Sequence, residues 1–126
     1  MLATLDRHRV SYVVIGAFAR VVHGADEVTR GVDIVPSLRD ENLRRLELAL
    51  RDLEAERRDG RELALAQAGA SLEPVIELQT ARGELKLVPQ PEGTRGYDDL
   101  RRHATREPVG AGLRPSVASV GDLSRM

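Results

Sequence analysis

The run from Val10 to Ile15 is apolar and rich in β-branched residues, broken only by Ser11, and it stops abruptly at Gly16. Such a run marks a strand buried on both faces, because consecutive side chains point to opposite sides of a sheet and neither side can meet water. Ala17 to His23 then reads as a short helix, with Gly24 as its C-cap. Val28 to Val35 alternates instead. Val28, Arg30, Val32 and Ile34 point one way, Thr29, Gly31, Asp33 and Val35 the other, and Pro36 stops this second strand.

The rest of the chain supplies cover for such a sheet. Leu2 to His8 fits two turns of an amphipathic helix. Leu43, Leu46, Leu50 and Leu53 recur at helical spacing with Ala49 beside them, so a long helix is expected from a cap at Ser37 or Asp40. Asp59-Gly60 is a turn, and Glu62 to Ala68 reads as an Ala-rich helix. Val75–Thr80 and Glu84–Val88 flank Ala-Arg-Gly as a β-hairpin. Pro89 to Gly96 is loop, Tyr97 to Ala104 a short helix, and Val109 to Val117 one more strand. Ser119 caps a last helix that begins at Val120 and runs to Met126. The expectation is a single α/β (α+β) domain over residues 1–126, a small mixed sheet with helices packed on it, cut short within its C-terminal helix.

Composition narrows the function. The chain has 126 residues, of which 41% are apolar, 31% charged and only 2% aromatic, so Leu, Val, Ile and Ala must fill the core. The net charge of −1 argues against a general polyanion binder. Lys86 is the only lysine, so Arg supplies almost all the positive charge, as expected from a GC-rich genome. The absence of cysteine removes disulfides, thiolate catalysis and Cys-ligated zinc together. No apolar run approaches the roughly 18 residues of a membrane span, and Met1 to Arg9 lacks a signal-peptide core, so a cytoplasmic protein without membrane partners is expected.

Two features carry chemistry. A buried strand running into Gly16-Ala17 at the mouth of a helix offers backbone amides to a phosphate, although most glycines in such turns are only turns. Thr29-Arg30-Gly31-Val32-Asp33 presents a carboxylate on an alternating strand. Together with Tyr12-Val13-Val14-Ile15-Gly16-Ala17-Phe18-Ala19, His23-Gly24, Ile34-Val35-Pro36, Glu41 to Leu46, Gly93 to Leu100 and Val117 to Met126, this order resembles the nucleotidyltransferase superfamily. This is the polymerase-beta-like group, and the resemblance is to its minimal bacterial members associated with toxin–antitoxin systems.

The resemblance implies transfer of a nucleoside monophosphate from a nucleoside triphosphate to an RNA or protein hydroxyl, with magnesium as cofactor. It implies that Gly16, Ala17 and Thr29 bind the nucleotide and that Asp33 is catalytic and holds metal. Two metal ions about 3.5–4 Å apart activate the attacking hydroxyl and neutralise the leaving pyrophosphate. The family places two Asp one residue apart on one strand, about 6.6 Å apart by the usual rise, and a third carboxylate on a later strand. Here the first position is Gly31 and the third is Lys86. Two carboxylates are lost and a cation is gained, a formal change of +3 that leaves the metal site impaired. Lys86 either pairs with Asp33 or touches a phosphate directly. Glu84, on the Lys86 face but two residues away, and Asp26 or Glu27, in the preceding loop, are the carboxylates left to stand in as metal ligands. The other reading is a non-catalytic module binding a nucleotide or a cognate toxin or antitoxin protein in the old cleft.

Bland readings suffice for the remaining candidates. His8, His23 and His103 are not at metal-ligand spacing, and His23 suits a helix C-terminus. Arg44-Arg45, Arg57-Arg58 and Arg101-Arg102 read as solvated helix faces, and Asp98-Asp99 as a helix start.

Overall fold

The computed structural model describes residues 1–68 and 72–126. Its elements are α1 (Leu2–Arg7), β1 (Tyr12–Ile15), α2 (Gly16–Val22), β2 (Gly31–Pro36), α3 (Asp40–Asp52), β3 (Glu56–Arg57), α4 (Leu65–Ala68), β4 (Ile76–Thr80), β5 (Gly83–Leu87), α5 (Tyr97–Leu100), β6 (Thr105–Arg106), β7 (Ser116–Val117) and α6 (Val120–Arg125). The strands form one mixed sheet in the order β3-β4-β5-β2-β1-β7-β6. β2 lies parallel to β5 and antiparallel to β1, and β1 lies parallel to β7.

The double burial expected of the first strand holds. Val13 and Val14 are both fully buried. Val14 faces the main core, which gathers Leu5, Ile34, Leu43, Leu46, Leu50, Leu78, Leu85 and Leu87 under α1 and α3. Val13 and Ile15 face a smaller cluster with Val35, Leu100 and Ala118. The leucine stripe of α3 faces the main core, while Asp40 and Glu41 in its first turn complement the helix dipole. Neither Ser37 nor Asp40 caps it. The cap residue is Arg39, with no side-chain cap bond, and Asp40 is the first helical residue.

Where the strands end is decided by their neighbours. β2 begins at Gly31 rather than Val28, because its partners run out there: β1 ends at Ile15 opposite Asp33, and β5 begins at Gly83, with Glu84 opposite Gly31. Val28 is 91% exposed. Pro36 closes β2 as its last residue, paired with Tyr12. The hairpin forms as expected, with Thr80 opposite Gly83 and Gly83 at φ +121°. Ser119 caps α6 by accepting from the Asp122 amide at 3.0 Å. The Gly24 cap also forms, with the Gly24 and Ala25 amides donating back to Val21 and Arg20.

Three expectations shrink. The Ala-rich helix is a single turn over Leu65–Ala68, and α5 stops at Leu100. The expected strand over 109–117 is in fact half of a hairpin. Thr105 and Arg106 pair with Val117 and Ser116 across a loop in which Gly110, Ala111 and Gly112 all have positive φ. Those backbone angles suit a turn and break a strand.

Candidate functional site

The site begins where β1 passes into α2 with no intervening loop. Ile15 is extended and Gly16 has φ +73°. The side chain of Asp33, opposite Ile15 on β2, fills the space beside Gly16. A Cβ at Gly16 would lie 2.5 Å from Asp33 Oδ2 and 3.1 Å from its Cγ. Glycine is required here twice, for the backbone angle and for the carboxylate packed on it.

From Asp33 the sheet extends the site sideways. Alternation sends Val32 and Ile34 into the main core with Leu85 and Leu87, and leaves Gly31, Asp33, Glu84 and Lys86 on the opposite face. The parallel register sets Lys86 opposite Asp33 and Glu84 opposite Gly31. A cleft of about 180 Å³ lies over them, lined by Ala17, Phe18, Thr29, Arg30, Gly31, Asp33, Glu84 and Lys86 together with Val28 and Val32. The residues singled out in the sequence therefore converge, with Gly16 packed behind Asp33.

Gly31 is more than a missing carboxylate. A Cβ built there would fall 2.3 Å from the Glu84 carbonyl oxygen and 2.8 Å from both its carbonyl carbon and its Cβ. β5 has closed up against β2 into the volume a side chain would occupy.

The charges do not pair as the ladder would predict. Lys86 does not form an ion pair with Asp33. Its partner is Glu77, opposite it on β4, at 3.8 Å. The reason is geometric: Lys86 has a carboxylate-bearing strand on each side and bridges to the more exposed of the two. Burial pushes the Asp33 carboxyl above its ordinary value, opposed by the positive charges of Lys86 and Arg20 and reinforced by Glu77. Glu84 is bonded by Arg58 at 3.2 Å. Glu27 accepts both arms of Arg20, at 2.7 and 3.0 Å, and neither Asp26 nor Glu27 is among the described residues lining the cleft. Among the described residues, no group of three or more His, Asp or Glu converges as a metal site. One unshared carboxylate beside an ammonium does not fit a pair of magnesium ions.

Other candidates resolve structurally. The His23 ring bonds the Ala118 carbonyl at 2.8 Å, fixing the end of α2 to the start of α6. Arg57 is not on a solvated helix face but in β3. Its side chain is 9% exposed and bridges Asp59 at 2.7 Å and Glu73 at 2.8 Å, which holds both carboxyls below their ordinary values. Asp99 accepts the Arg95 amide at 3.0 Å and pairs with Arg125 at 3.2 Å. These residues, with Gly93, Thr94, Asp98 and Arg102, border a second cleft of about 490 Å³ that the spacing of charges alone did not reveal. Asn42 is also new. Buried at 6% exposure, it joins the Ser11 amide, the Ser11 carbonyl and the Ser37 carbonyl, and so fixes the edge of β1 against α3.

No protein-family model matches the chain, and no curated protein does. Among solved structures, one similar fold is a Thermotoga maritima protein provisionally named a nucleotidyltransferase, TM1012. It superposes with a TM-score of 0.64 at 15% identity over 98% of this chain and 78% of its own. At that identity the likeness concerns the fold. The chain thus shares the overall α/β fold of that protein.

Proposed function

We propose that the chain is a single-domain, cytoplasmic nucleotidyltransferase-like protein of the bacterial toxin–antitoxin type whose cleft still receives a nucleoside triphosphate but has lost two-metal transfer. The observation that carries this reading is that Gly31 stands two residues before Asp33 and Lys86 directly opposite it in the β2–β5 register. Two-metal chemistry needs several carboxylates within reach of both ions, and among the described residues lining the cleft Asp33 is the one carboxylate without a cationic partner at bonding distance.

In this reading Gly16, Ala17 and Thr29 contact the triphosphate, Asp33 and Glu84 are what remains of the magnesium site, and an RNA or protein hydroxyl is the acceptor class. The residues present do not fit a magnesium pair, and no transfer step is derived through one. The same two positions favour a second reading, a non-catalytic module that uses the cleft for a nucleotide or for a cognate toxin or antitoxin protein.

The test is label transfer. The protein is incubated with each α-labelled nucleoside triphosphate, magnesium or manganese, and total bacterial RNA and protein. Lys86→Asp, which removes the cation and places a second carboxylate beside Asp33, is run in parallel. Transfer by Lys86→Asp with little or none from the unaltered chain supports an impaired transferase. Silence from both supports the binding module. Robust transfer by the unaltered chain contradicts the impairment.

A further inference from the structure

The cleft lacks metal donors, yet it does not lack positive charge. Arg30 lines it, and among the described residues no carboxylate lies within the 4.0 Å of an ion pair from its guanidinium. Lys86 lines it too, held only by the long 3.8 Å contact to Glu77 and 46% exposed, so its ammonium retains free donors. The charge of Glu84 is already met from outside the cleft by Arg58 at 3.2 Å. The cations lining the cleft are therefore Lys86 and Arg30, with Arg20 nearby but engaged by Glu27; the carboxylates lining it are Asp33, on which Lys86 acts most strongly, and the already paired Glu84. A guanidinium and an ammonium provide several N–H donors suited to phosphate oxygens. A divalent ion placed beside Asp33 would instead meet the ammonium of Lys86 across the ladder.

We propose that this cleft binds the phosphates of a nucleotide without a divalent cation, with Lys86 and Arg30 taking over the charge neutralisation that metal ions would supply. The proposal rests on the nucleotide-site reading above and adds how the ligand is held. Lys86 then represents a change of binding chemistry as well as the loss of a ligand. The closeness of β5 to Gly31 agrees with this, because it leaves no room for a carboxylate there.

Inorganic triphosphate is the probe, since it has no base to match, and each of the four nucleoside triphosphates is titrated beside it by calorimetry. The full chain is measured in EDTA and in magnesium, with Lys86→Gln, Lys86→Arg, Arg30→Gln and Asp33→Asn, each checked by a cooperative thermal melt to be folded. The expected result is binding in EDTA that magnesium does not tighten. Lys86→Gln and Arg30→Gln should each weaken it about tenfold, Lys86→Arg should largely retain it, and Asp33→Asn should leave it equal or tighter. Binding that requires magnesium and is lost in Asp33→Asn overturns the proposal while leaving the nucleotide site in place. Binding in EDTA that is indifferent to both Gln variants overturns the assignment of Lys86 and Arg30. Failure of triphosphate and all four nucleotides to bind under either condition overturns the nucleotide-site reading as well.

Discussion

Gly31→Asp restores in name the first carboxylate of the resembled motif, and the structure predicts that the fold resists it. The backbone at Gly31 is ordinary extended strand, with no positive φ to relieve, so the whole penalty is steric. The new Cβ would sit 2.3 Å from the Glu84 carbonyl oxygen. Close carbon–oxygen contacts between strands run at about 3.3 Å, which makes the overlap about 1 Å. The nearest obstructing atoms are backbone at the first pair of the β2–β5 ladder, so they cannot swing aside as a long side chain would. Relief requires the two strands to part where Gly31 to Ile34 pair with Glu84 to Leu87.

Overpacking of this kind costs about 1–3 kcal/mol. For a chain of this size that corresponds to a fall in melting temperature of about 4–12 °C. Gly31→Ala isolates the effect, because it adds the Cβ without the charge and should account for most of the loss. Urea unfolding of the three proteins provides the measurement. If both variants stay within about 0.5 kcal/mol of the unaltered chain, the close approach of β5 is not a real constraint and the reasoning fails.

Other consequences follow from the same packing. Gly16→Ala places a Cβ 2.5 Å from Asp33 Oδ2 at a residue with φ +73°, and should lower stability by about 2–3 kcal/mol in urea unfolding. Asn42→Ala removes the side-chain partner of the Ser11 amide and of the Ser37 carbonyl, while the Ser11 carbonyl keeps the Ser37 amide, and should cost about 1–3 kcal/mol. A loss below 0.5 kcal/mol would show that water replaces the amide there. Burial raises the Asp33 carboxyl above its ordinary value. The native state therefore binds that proton more tightly than the unfolded chain, and this group's contribution to stability declines as pH rises through that range. Asp33→Asn should accordingly raise stability at pH 7 and lose the advantage in acid, where Asp33 is protonated; the reverse ordering in a pH series of melts would contradict the assignment.

The parts of this structure legible in the sequence are those that local pattern dictates. The unbroken apolar run of β1, the leucine stripe of α3, the Gly24 and Ser119 caps and the Ala-Arg-Gly hairpin each form because neighbours a few residues apart require it. The strands whose limits depend on a distant partner were not legible. Thr29 and Arg30 alternate like strand residues but lie before the first paired residues of the β2–β5 ladder, Gly31 and Glu84. β3 and β6 have two residues each, too short for any periodicity to register.

The site divides in the same way. Gly16, Gly31, Asp33 and Lys86 were marked by sequence order; alternation brings the last three to one face, and Gly16 packs behind Asp33. That Lys86 turns to Glu77, that Arg57 is enclosed by carboxylates and that Asn42 clasps two loops depend on side chains brought together from well-separated positions in the chain.

The central claim is that the cleft has exchanged a two-ion site for fixed cations, and a manganese titration followed by electron paramagnetic resonance tests it most directly. The account predicts no tight binding and no signal from two coupled ions, with or without a nucleoside triphosphate, and no change on replacing Asp33 by Asn. Two manganese ions bound together, with the spin coupling of a pair about 3.5–4 Å apart and loss of both in Asp33→Asn, would contradict it.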